Sequence, residues 1–74
     1  MPSDEVRRAF ARRLRVLMKA RGLSVKSLLW MMGEGEDKAQ KVYSWMNGER
    51  LPSFEGLLAL QAALRCDWKE LMGK

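Results

Sequence analysis

Apolar residues recur at helical spacing from the start of the chain. Val6, Phe10, Leu14, Leu17 and Met18 fall on one face, with Arg7, Arg8, Arg12 and Arg15 on others. This first helix is predicted to end near Arg21, because Gly22 suits the left-handed position that closes a helix. Ser24 is placed to cap a second helix over about 24–32, stopped by Gly33. A third, over about 38–47, has Val42, Trp45 and Met46 as its inward stripe and ends at Asn47 and Gly48. Asp37 and Gln40 stand in the D-x-x-Q capping arrangement, in which the Asp side chain accepts an N–H three residues on and the Gln returns the bond. Ser53, just after Pro52, is expected to cap a fourth helix whose Phe54, Leu57, Leu60 and Leu64 share a face. Asp67 and Glu70 repeat the capping pattern for a last short turn carrying Trp68 and Leu71. No segment alternates with period two for long enough to make a strand. The expected fold class is all-α, a compact set of five short helices in one domain over residues 1–74.

The joint between the second and third helices departs from this regularity. Five apolar residues, Leu28 to Met32, run straight into Gly33, Glu34, Gly35, Glu36 and Asp37. The apolar run is too long for one buried face, and the joint is long and negative in a chain whose formal charge is +5. The charge is lopsided. Residues 1–33 hold eight Lys or Arg against two acids, and residues 34–74 hold six against seven. A basic surface of this kind points to a polyanionic partner.

Composition narrows the classes further. At 74 residues, 47% hydrophobic and 31% charged, the chain has room for one folded domain and is not of disordered type. The longest apolar run is five residues, well short of the roughly 20 that a membrane span needs. No apolar segment follows the N-terminal arginines, so a secretory signal is not expected and a cytoplasmic location is. Cys66 stands alone and there is no His, so neither an internal disulfide nor a zinc site is expected. With that Cys expected in the core and the carboxylates mostly at helix caps, no nucleophile and base pair emerges. An enzyme is not expected, nor is any cofactor.

Taken in order, "RLRVLMKARGLSVKSLLWMMG", "VYSWMNGERLPSFEGLLAL" and "ALRCDWKELMG" resemble the lambda-repressor-like, Cro-like helix-turn-helix family of bacterial and phage regulators. The likeness spans residues 7 to 73. Its most specific pieces are "RGLS", the pattern W-x-N-G-x-R-x-P-S, and "CDWKEL", strong through their order and spacing. The resemblance implies a sequence-specific, DNA-binding transcriptional regulator in which the second and third helices form the helix-turn-helix and the third lies in the major groove. It also implies a homodimer on a palindromic double-stranded DNA operator, with Leu58, Trp68 and Met72 as candidate dimer contacts. By the family pattern Ala39, Gln40 and Ser44 fall on base-facing positions. An amide there suits an adenine edge and a methyl suits thymine. Expected phosphate contacts are Lys26, Lys38, Lys41, Arg50 and Asn47. The alternative is a helix-turn-helix scaffold that has become a protein-binding module.

The sequence departs from the family pattern in several places. The family joins these helices by a turn of about three or four residues, and here Glu34, Gly35 and Glu36 read as an insertion. Leu29 stands where a small residue is usual, so a longer turn and a larger side chain read as one compensating pair. Met18 and Met46 occupy the positions of a common ion pair, and Val25 replaces a usual Gln. Trp30 and Met31 stand where polar residues are usual. Two accounts are open for them: the longer turn folds back and covers both, or they form a patch for a protein partner.

Overall fold

The computed structural model describes residues 4–72, apart from the side chains at 68 and 72. The order is α1 (Asp4–Ala20), α2 (Val25–Met31), a 3-10 turn (Glu36–Lys38), α3 (Ala39–Met46), α4 (Phe54–Leu64) and α5 (Trp68–Met72). Helices are the only regular elements among the described residues.

Local chemistry accounts for most boundaries. Ser24 caps α2, its Oγ accepting the Ser27 N–H at 3.1 Å, and Ser53 caps α4, its Oγ accepting the Gly56 N–H at 3.2 Å. Asp67 Oδ1 accepts the Glu70 N–H at 3.2 Å, as expected for α5. Past α1, Gly22 adopts φ +65°, and Leu23 N–H reaches back to the Met18 carbonyl at 2.8 Å. The end of α2 repeats this geometry. Gly33 takes φ +76°, its N–H bonding to the Trp30 carbonyl, and Glu34 N–H bonds to the Leu29 carbonyl at 2.9 Å. Such paired bonds satisfy carbonyls that a helix end leaves open. Replacing Ser24 by Ala leaves the Ser27 N–H without its acceptor and is expected to cost about 1 kcal/mol, read as a lower midpoint in urea with an unchanged slope.

The Asp37 cap does not form. Asp37 lies inside the 3-10 turn rather than ahead of the helix, and the residue preceding α3, Lys38, makes no side-chain capping bond. The Lys38 N–H already bonds to the Gly35 carbonyl at 3.0 Å and the Ala39 N–H to the Glu36 carbonyl. The Asp37 carboxylate curls back instead, its Oδ1 lying 2.7 Å from where a Cβ on Gly35 would stand. The second half of the acidic joint thus becomes a tighter helical turn that leads into α3.

The core gathers one side of every helix. Phe10, Leu14 and Met18 from α1, Leu28 and Leu29 from α2, and Val42 and Trp45 from α3 are buried, with Leu60, Ala63 and Leu64 from α4 and Leu71 from α5. Met46 packs against this cluster, as do Val25 and Cys66. Met18 and Met46 therefore replace the family's ion pair with apolar contact, a change that buried sites tolerate. Burial, and then the neighbouring Glu70 carboxylate, push the Cys66 thiol above its ordinary pKa. Its thiolate is correspondingly scarce.

Two apolar residues assigned to inward stripes lie outside. Val6 is exposed, and Phe54 is 74% exposed. At its first turn α4 approaches the core through Gly56, where a Cβ would stand 3.3 Å from the Trp45 ring and 3.2 Å from Pro52. That close approach turns the Phe54 side of the helix away.

Candidate nucleic-acid interface

The solvent side of α3 carries Gln40, Tyr43 and Asn47, all exposed. Residues three and seven apart lie on one helical stripe. This stripe lies opposite Trp45, which is 3% exposed. Of the three residues expected to face bases, Gln40 is exposed. Ala39 is half-buried and packs against the core cluster. Ser44 is a correction: it is only 7% exposed, and its Oγ donates to the Lys41 carbonyl at 2.7 Å.

The reason for the Ser44 burial lies beyond the helix. Leaving α3, the chain returns along that side, with Glu49 and Arg50 N–H groups both bonding to the Ser44 carbonyl at 2.9 and 3.3 Å. Arg50, Leu51 and Ser53 line a shallow hollow together with Lys41 and Trp45. The covered arc of α3 is therefore wider than its apolar residues alone indicate, and the open stripe rotates from Ser44 to Tyr43. Tyr43 was missed by the sequence reading because i+3 and i+4 from Gln40 are equally compatible with helical spacing.

The cations around α3 are arranged unexpectedly. Lys41 Nζ lies 2.8 Å from Glu34 Oε1 and stands over the Trp45 ring, 5.8 Å from its centroid. Lys26 Nζ lies 3.4 Å from Glu36 Oε1, and Lys38 Nζ lies 4.0 Å from Asp37 Oδ2. Three of the four basic residues expected at phosphates thus face an acid of the joint between α2 and α3. Arg50 is exposed and makes no ion pair among the described residues. On the other flank Arg8, Arg12 and Arg15 of α1, all exposed, border a concavity with Met46 and Asn47 at the end of α3. The sequence placed them only on faces away from the apolar stripe, although their i, i+4, i+7 spacing puts them on one side of α1.

The joint does not cover Trp30, which is 81% exposed, or Met31, which is 41% exposed. Gly33 closes α2 immediately, and the following residues are drawn toward Lys26 and Lys41 by the pairs above. Trp30 and Met31 instead form one wall of an open groove of about 620 Å³, with Leu29, Lys26, Glu34 and Glu36 around it. Leu29 itself is 1% exposed, so the large side chain is accommodated inside. Of the expected dimer contacts, Leu58 is 49% exposed, while the Trp68 and Met72 side chains lie outside the described residues. Among the described residues no helix is long and apolar enough to cross a membrane.

A short helix, an irregular joint and a second helix with one polar stripe turned to solvent, braced by three more helices, define a helix-turn-helix domain of lambda-repressor-like type. No protein-family model matches the chain, and no curated protein is significantly similar to it. A solved structure is: the high-resolution crystal structure of the restriction-modification controller protein C.AhdI from Aeromonas hydrophila. It superposes with a TM-score of 0.76 at 32% sequence identity, over 88% of this chain and 94% of that one. The chain belongs to the Cro-like family of helix-turn-helix, DNA-binding transcription regulators.

Proposed function

We infer that the protein regulates transcription by placing α3 in the major groove of double-stranded DNA, with Gln40 reading a base edge and Tyr43 beside it. The observation that supports this docking is the exposed Gln40, Tyr43 and Asn47 stripe opposite a buried Trp45. A primary amide pairs two ways with adenine N6 and N7, which gives discrimination that a point charge does not. Arg50 and Lys38 would meet phosphates on one side, and Asn47 with Arg8, Arg12 and Arg15 on the other. Such contacts set register and affinity without reading sequence. A symmetric pair of copies on a palindrome, joined through α4 and α5, fits this use. The similarity to C.AhdI makes control of restriction-modification genes the narrower reading.

Selection of bound sequences from random duplex DNA tests the inference. The expected outcome is enrichment of a palindrome whose half-sites are about one helical turn apart. Affinity should fall by about 3.5-fold between 50 and 200 mM salt for each phosphate neutralised, following a slope of about 0.9 per contact. No enrichment, together with a flat salt dependence, would favour the protein-binding alternative, in which the open groove at Trp30 and Met31 takes a partner. Enriched sites lying upstream of a methyltransferase or endonuclease gene would support the narrower reading.

A further inference from the structure

We propose that the acidic joint is a built-in competitor for the DNA backbone, and that Glu34 determines how much of the Lys41 charge a duplex receives. This rests on the DNA-binding reading above and adds a residue that sets its strength. The Lys41 ammonium and the Glu34 carboxylate are about two-thirds or more buried, with side chains 34% and 27% exposed. Their 2.8 Å contact is therefore less screened than a pair on open surface. A phosphate that approaches Lys41 meets a nearly neutral pair, with a carboxylate close behind the ammonium. Little counterion release follows unless the pair opens.

Two further observations separate this arrangement from a simple structural tie. Glu34 Oε2 is buried with no hydrogen-bond partner, a cost that a tie optimised for stability would not carry. The same joint also reaches two of the other expected phosphate contacts, through Glu36 to Lys26 and Asp37 to Lys38. These pairs are exposed and contribute less each. All three oppose the same event, the arrival of a polyanion at the leading end of α3.

The test compares Glu34→Gln with the wild type in titrations of a fluorescent 30-base-pair duplex across 50 to 200 mM salt. Glu5→Gln, an exposed acid in the first turn of α1, supplies the same change in net charge. Glu34→Gln is expected to bind about 3- to 10-fold more tightly at 50 mM salt, with the slope steeper by about 0.9 for the lysine released. Glu5→Gln should change affinity by less than half as much on a logarithmic scale, and Glu36→Gln, at an exposed side chain, should move it in the same direction as Glu34→Gln. In a Lys41→Gln background the gain from Glu34→Gln should shrink to that of the control. An unchanged affinity, or a gain that persists without Lys41, overturns the proposal. Retention on heparin distinguishes the two possible failures. If neither protein binds duplex but Glu34→Gln elutes at higher salt than Glu5→Gln, the regulator reading falls and the competition for polyanions stands; equal elution removes the competition.

Discussion

Leu29→Ala is expected to destabilise the fold by about 2–5 kcal/mol, the range for truncating a buried leucine. A domain of this size holds only about 4–11 kcal/mol in total, so the variant should lose a large share of its stability and unfold at a much lower urea concentration. Leu29 is 1% exposed and belongs to the cluster that joins α2 to α3 and α4. The loss arises from removed apolar contact and from a void that rigid neighbours cannot fill. Urea unfolding followed by circular dichroism measures it. A loss below 1 kcal/mol would mean that α2 and α3 close over the site without help. The same residue tests whether the long joint and the large side chain belong together. Removing Glu34, Gly35 and Glu36 should force α3 toward a side chain that has no room to retreat. Leu29→Ala should therefore cost less in the shortened chain than in the full one. Additive effects would show that the two features are independent.

Gln40→Ala is expected to leave the fold intact and to change what the protein reads. Gln40 is exposed, so its loss opens no cavity, and Ala favours the helix. A bidentate amide contact contributes about 1–3 kcal/mol of discrimination, so binding to the selected palindrome should weaken about 5- to 160-fold. Preference should flatten at one position in each half-site. Affinity for random duplex should stay within about twofold, because a neutral side chain releases no counterions. The informative measurement is selection repeated with the variant. Unchanged base preference would place the reading elsewhere on the stripe, with Tyr43 the first residue to examine. A uniform loss over all duplexes would instead make Gln40 a phosphate contact.

The two experiments address different links. Leu29 acts through packing, which holds α3 at a fixed angle against α2, and Gln40 acts at the surface that this packing presents. Lys41 connects them, because it packs over the Trp45 ring while holding an acid of the joint. Substituting it changes both the surface charge and the anchorage of residues 33–37. For that reason the proposed cycle varies Glu34 within a Lys41→Gln background rather than reading Lys41→Gln alone.

Much of this protein was decided within short windows of sequence. Ser24, Ser53 and Asp67 cap the helices they were expected to cap, and Gly22 and Gly33 close helices with positive φ. These outcomes depend on bonds between residues three to five apart, whose geometry is local. The inward positions of Phe10, Leu14, Trp45 and Leu60 were likewise legible, because a helix of known period has one apolar side. Tertiary structure decided which neighbouring positions that side also covers. Ser44 is enclosed by the chain returning after α3, Phe54 is left outside by the approach of Gly56 to Trp45, and Asp37 turns back because the joint winds into a 3-10 turn. The pairing of Lys41 with Glu34, and of Lys26 with Glu36, was decided there too. Periodicity carries no information about which distant segment arrives at a face, and a charge count carries none about which opposite charges meet.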